Sequence, residues 1–189
     1  MKFKTCLLIA ASLFSSLVTH ASDLSEKLKS PDYVLLMRHA LAPGVGDPAN
    51  YTLRDCKSQR NLDAEGRAQA KTVGNWLRKN AVDKAEVHSS AWCRCKETAE
   101  LLAFGDVTVQ PSLGSFFDDM NKASERNQAL QLFISEKMKV KGDKALILVT
   151  HHVNIFQFMG ENIASGDMVL AKVNAAGKMV SYKLVPRPL

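Results

Sequence analysis

A chain of 189 residues, 46% of them apolar and 23% charged, suits a single domain large enough to bury a substantial core. Its formal charge of +6 falls to +4 once Lys2 and Lys4 are set aside, and the other basic residues are spread along the chain. There is no basic arm and no basic stripe interleaved with aromatics, which argues against nucleic acid as a partner, whereas a modest positive field suits attraction of small anions.

Residues 1–21 read as a secretory signal peptide. Lys2 and Lys4 form a basic start, Leu7 to Val18 an apolar stretch softened by serines, and Thr19-His20-Ala21 a small-residue cleavage site. The stretch falls short of the roughly 20 apolar residues a membrane-spanning helix needs, and no later segment supplies them. The expectation is an exported protein without stable membrane insertion, periplasmic in a Gram-negative source and otherwise secreted, with one domain over residues 22–189. No repeat, low-complexity tract or linker divides that domain.

The first element is Tyr33-Val34-Leu35-Leu36-Met37, an apolar run of strand length that delivers Arg38, His39 and Ala40 where it stops. Leu41 to Asn61 follows, rich in Pro and Gly and without periodicity. A loop of that length in a compact domain is commonly a lid, and this one carries Arg54, Cys56 and Arg60. Asp63 caps a predicted helix from about Ala64 to Asn80, with Val73, Trp76 and Leu77 as its apolar stripe. Glu86 to Ser89 reads as a short strand. Ser90 is expected to cap a second helix, Ala91 to Ala103. Val107 to Val109 reads as another strand, and a loop through Asp118 and Asp119 leads to a third helix with Leu130, Phe133, Ile134 and Met138 on one side. Ala145 to Val149 is wholly apolar, as in a buried parallel strand, and ends in Thr150, His151 and His152. An apolar helix then runs to Gly160, and Met168–Val173 and Met179–Val185 flank a five-residue hairpin loop. The alternation predicts an α/β fold, a three-layer α/β/α sandwich around a largely parallel central sheet.

Two strands therefore end in histidine, the first behind an arginine. In open α/β sheets ligands bind beyond the carboxyl ends of strands, so these groups are aimed at a ligand site. Arg94 adds a cation in the first turn of the second helix, where it opposes the helix dipole. That placement makes sense for an anion site, in which backbone N–H groups and a guanidinium converge; a solvated surface arginine is the plain alternative.

These residues resemble a family. Arg38-His39-Ala40 after a hydrophobic strand is similar to the Arg-His-Gly signature of the histidine phosphatase superfamily, with its phosphoglycerate-mutase-like fold. Ser90-Ala-Trp-Cys-Arg94-Cys-Lys-Glu-Thr98-Ala99 resembles its second motif, Leu148-Val-Thr-His151 its third, and Gly66-Arg-Ala-Gln69-Ala70 its helix after the first loop. The likeness spans about residues 33–160.

The resemblance implies a phosphatase acting on a small phosphorylated substrate. His39 would attack phosphorus and become phosphohistidine, and Arg38, Arg94 and His151 would hold the phosphoryl oxygens. Those cations would take the part that metal ions play in kinases, so no metal and no cofactor is implied. The general acid would be a loop carboxylate, Asp119 in preference to Asp118. Ala40 replaces the signature Gly. His152 stands where some members carry an acid and, with Arg60, is a candidate substrate contact. In an exported protein Cys56 is expected to pair with Cys93 or Cys95, either of which would pin the lid beside Arg94. A zinc site fits less well, because Cys-x-Cys is tighter than usual zinc-pair spacing. A phosphomutase, or a phosphate- or phosphosugar-binding module with little turnover, are the alternatives.

Overall fold

The computed structural model describes residues 22–189, so the signal-peptide reading of residues 1–21 lies outside the described residues. Six strands form one sheet: β1 (Tyr33–Arg38), β2 (Ala85–Ser89), β3 (Val107–Val109), β4 (Ala145–Thr150), β5 (Met168–Val173) and β6 (Met179–Val185). Their spatial order is β3-β2-β4-β1-β5-β6. The first four run parallel, and β5 and β6 add an antiparallel hairpin to the edge of β1. The predicted α/β/α sandwich around a largely parallel sheet is therefore present.

Five helices cover the sheet: α1 (Ser22–Lys29), α2 (Ala64–Lys79), α3 (Cys93–Leu101), α4 (Ala123–Val140) and α5 (His152–Met159). Alternation along the strands sorts the core into two layers. Leu35 and Met37 of β1, with Ile147 and Val149 of β4, pack with Val73 and Leu77 of α2 and Ala99 of α3. Val34 and Leu36, with Leu146 and Leu148, pack with Leu130 and Ile134 of α4 and Ile155 of α5. Every residue of β4 is buried, which is why that strand reads as an unbroken apolar run.

Local chemistry explains the helix ends. Asp63 accepts a hydrogen bond from Gly66 N at 2.7 Å as N-cap of α2, as expected. Gly66 itself is required by close packing, since a Cβ there would stand 1.9 Å from the Leu41 carbonyl oxygen. Gly160 closes α5 in the left-handed conformation at φ 87°.

Two elements differ from expectation. Helix α3 begins at Cys93 rather than Ala91, and its N-cap Trp92 makes no side-chain capping bond. Ser90 lies two residues before that N-cap: its hydroxyl accepts from Trp92 N at 3.3 Å and meets His151 Nε2 at 2.8 Å rather than capping the helix. Helix α1 was not expected: it buries Leu28 against the sheet, and Ser25 Oγ donates to Ala81 O at 2.6 Å.

The register places the site. β1 and β4 are adjacent and end level, with Arg38 opposite Thr150. His39 and His151 are the next residues of their strands, and His39 N donates to Thr150 O at 2.9 Å. The chain passes from β1 to β2 and leaves a place that β4 fills later, so the crevice lies between the strand ends of a sheet whose order reverses there.

Candidate active site

A cavity of about 230 Å³ opens beyond the carboxyl ends of β1 and β4. It brings together Arg38, His39, Arg60, Arg94, His151 and His152.

His39 is 1% exposed. Its Nδ1 lies 2.8 Å from Ala40 O, and a carbonyl only accepts, so Nδ1 carries the proton. Nε2 is thereby left with its lone pair. Burial pushes the imidazole down to about 3, with the charges of Arg94, Arg38 and Arg60 adding to it against the Ala40 contact, which acts the other way. The ring is thus neutral and nucleophilic at Nε2 over the ordinary pH range.

His151 is also buried, and its ring meets that of His39 edge-on with centroids 5.5 Å apart. Arg94 Nη2 lies 3.5 Å from its Nδ1, and Ser90 Oγ lies 2.8 Å from its Nε2. An arginine only donates, which assigns the lone pair to Nδ1 and the proton to Nε2, donated to the Ser90 hydroxyl. Burial lowers its pKa well below the usual value, helped by the neighbouring His39, Arg94, His152 and Arg60.

Three guanidiniums face this pair. Arg94, 3% exposed, is held by Asp47 Oδ1 at 2.8 Å, and its Nε is buried without a partner. Arg38 donates Nη1 to Ile163 O at 2.8 Å, and its Nε is likewise unpartnered. Arg60 donates Nε to Gly46 O at 2.7 Å and Nη1 to Ala42 O, which ties the loop onto itself. Three cations with unused donors in a half-enclosed cavity make a site for a polyanionic group such as phosphoryl.

The loop over residues 41–61 closes one side of the cavity, with Gly44, Val45, Gly46 and Asp47 in the wall. Asp47 was missed by the sequence reading. Its side chain is 4% exposed, and it accepts from Arg94, from Arg60 N at 3.0 Å and from Trp92 Nε1 at 3.1 Å. Burial raises its pKa, but those hydrogen bonds and the Arg94 charge outweigh it and hold the carboxyl below its usual range. Only its setting between Gly46 and Pro48 marked it in the sequence, and that reads as an ordinary turn.

The disulfide forms between Cys56 and Cys93, one of the two pairings left open, and pins the loop to the start of α3 beside Arg94. Gln59 Oε1 reinforces it by accepting from Cys93 N at 2.9 Å. Cys95 faces the other way as a free, fully buried thiol, 3.5 Å from His151 Nε2, and burial pushes it up to about 12. Such a thiol is inert packing. Thr98 joins the two motifs: its hydroxyl accepts from Ala40 N at 3.0 Å and donates to Arg94 O at 2.6 Å.

The two loop carboxylates separate clearly. Asp118 lines the cavity and accepts from Tyr51 OH at 3.1 Å. Asp119, preferred from sequence, does not line it. Its carboxylate caps the turn Met120–Lys122 through Asn121 N at 3.3 Å and pairs with Lys122 at 3.2 Å. His152 is at the rim, its ring against Phe117 with centroids 5.7 Å apart.

Residues 34–121 match the model of the histidine phosphatase superfamily, branch 1. That segment carries Arg38, His39 and Arg94 and stops before His151, which the fold brings to the same place. The fold is also that of several solved phosphatases. The protein histidine phosphatase SixA complexed with tungstate is 18% identical, covering 80% of this chain and 93% of its own, with a TM-score of 0.52. Phosphoserine phosphatase from Entamoeba histolytica is 12% identical, with 79% and 95% covered and a TM-score of 0.58. Mycobacterial glucosyl-3-phosphoglycerate phosphatase is 13% identical, with 82% and 98% covered and a TM-score of 0.59. Over residues 34–121 the sequence thus resembles the histidine phosphatase superfamily, and the fold of the described residues resembles that of these solved phosphatases. No curated protein matches its sequence.

Proposed function

We propose that the chain is a phosphatase that hydrolyses phosphomonoesters through a phosphohistidine at His39 Nε2, without a metal. The observation that carries this reading is the buried, neutral His39, its Nδ1 proton given to Ala40 O and its Nε2 free beside three guanidiniums. The phosphoryl oxygens are held by Arg38 and Arg94, with Arg60 at the rim, while His151 orients Arg94 through Nδ1 and packs edge-on against the His39 ring. Nε2 attacks phosphorus, the bond to the leaving oxygen breaks, and Asp118 delivers a proton to that oxygen. Water then attacks the phosphohistidine, giving its proton to Asp118 and releasing inorganic phosphate. The guanidiniums supply the charge stabilisation that metal ions give elsewhere. Solved phosphatases of this fold that carry tungstate or VO3 support an oxyanion-binding site.

The test is hydrolysis of p-nitrophenyl phosphate with EDTA, beside a His39→Ala variant. Turnover that survives EDTA and disappears in the variant is expected, together with acid-labile phosphate on the wild-type protein after rapid quenching. Turnover that EDTA abolishes, or that the variant retains, sinks the reading. We further propose export, on the sequence of residues 1–21 and on a disulfide suited to an oxidising compartment.

A further inference from the structure

A second cavity of about 220 Å³ adjoins the first, and His152 is a wall of both. Besides His152 it is lined by Phe116, Met120, Val153 and Phe156, with the amides of Gln157 and Asn162 at its edge, and no Lys, Arg, Asp or Glu lines it. Phe116 and Val153 belong to the buried core, but burial does not explain the others. Met120 is 58% exposed, Phe156 46% and, at the junction of the cavities, Phe117 42%. Phe117 and Phe156 are the only exposed aromatic residues among the described ones, and both stand here. Val45 projects from the loop on the other side of the mouth at 88% exposure.

Apolar surface kept in water on a small protein marks a contact site. Its chemistry is set by what adjoins it: a cavity with three guanidiniums shares the His152 wall with an uncharged, mainly apolar groove. A ligand that complements both is anionic at one end and hydrocarbon at the other. Met120 suits chains of varied shape, because its thioether stem repacks easily.

We infer that the groove beside the phosphoryl site binds the apolar part of the substrate, which is an amphiphilic phosphomonoester whose alcohol carries an alkyl chain. The inference rests on the phosphatase reading for the reaction, but not for the binding. The phosphate head sits among Arg38, Arg94 and His151, and the chain passes His152 and Phe117 to lie on Met120 and Phe156.

Calorimetric titration of the full protein with ethyl-, butyl-, hexyl- and octylphosphonate, below their micelle concentrations, reads the groove without needing turnover. Affinity is expected to tighten roughly two- to fourfold per methylene, the upper figure being full burial. In the double variant Met120→Ser, Phe156→Ser the gain per methylene is expected to fall toward nothing; both side chains are exposed, and the thermal midpoint checks that the variant folds. Affinity indifferent to chain length in the wild type, or a gain undiminished in the folded variant, overturns the inference. Hydrolysis of p-nitrophenyl phosphate in the same preparation separates the two ideas. Turnover with flat affinities sinks the groove alone, and chain-dependent binding without turnover sinks the phosphatase reading alone.

Discussion

At the scale of single residues, the arrangement turns on which groups hold the catalytic candidates still. Asp47 meets Arg94, Arg60 N and Trp92 Nε1 from inside the loop, so its removal frees the guanidinium and the loop together. A buried hydrogen bond to a charged group contributes about 1.5–3 kcal/mol. Asp47→Ala is therefore expected to lower kcat/KM for p-nitrophenyl phosphate by about tenfold or more, with Asp47→Asn recovering part of it because its amide oxygen still accepts from Arg94 and Arg60 N; steady-state kinetics on the pair checks this. Asp118 makes a different prediction. p-Nitrophenolate leaves without a proton, whereas an alkoxide does not. Asp118→Asn is expected to slow alkyl phosphate hydrolysis by about a hundredfold or more while largely sparing the nitrophenyl ester. The same comparison for Asp119→Asn is expected to show no such split, since that side chain is turned to Lys122 and Asn121.

At the scale of elements, the loop of residues 41–61 matters most. It has little regular structure, a short turn at Cys56–Ser58 and a single bridge between Thr52 and Asp55, so its own backbone does not hold it in place. It is held by Asp47, Arg60, Gln59 and the Cys56–Cys93 disulfide. A bridge closing a loop across 37 positions is worth about 4 kcal/mol in the chain-entropy picture. Cys56→Ser is expected to lower the thermal midpoint by several degrees and to raise KM, because the freed loop carries the partner of Arg94. Calorimetry and kinetics with and without reductant measure both effects, and the variant itself is expected to be indifferent to reductant. Gly66 is the corresponding weak point of α2: Gly66→Ala pushes the helix off Leu41, an overpacking cost of about 1–3 kcal/mol readable in urea unfolding.

For the whole molecule, burying two imidazoles among three arginines ties stability to pH. His39 is pushed down to about 3 in the folded protein, against about 6.5 when unfolded, and His151 moves the same way. Above pH 6.5 both states are neutral at these rings, and folding carries no proton-linked cost. Below it the unfolded chain binds protons that the folded chain refuses, so stability falls with pH by up to about 1.4 kcal/mol per unit for each such histidine, until the folded group itself titrates. The thermal midpoint is expected to drop steadily from pH 7 to pH 4.5 and the drop to be smaller in His39→Ala. His39 stays unprotonated over that range, so on the proposed mechanism any acid limb in activity belongs to other groups.

Much of this was legible in the sequence because it is local. Strands β1 and β4 announce themselves as apolar runs, and the residues that end them, Arg38-His39 and His151, must appear at the carboxyl edge of a parallel sheet. The helical stripes of α2 and α4 likewise follow from spacing. Helix α1 escaped because it abuts the apolar segment of residues 1–21. What tertiary structure decided is rotation and reach. Cys93 and Cys95 lie two positions apart and so point about 200° apart around α3; the packing of α3 on the sheet turned Cys93 to the loop and Cys95 to the core. Ser90 was free to cap a helix or to meet His151, and the start of α3 at Cys93 gave it the second role. Asp118 and Asp119 are adjacent and chemically alike, so only the turn at Met120 decides which faces the cavity. Asp47 lies 47 positions before Arg94, and no local pattern relates a turn aspartate to a helix arginine; the loop's closure over the sheet edge made them partners.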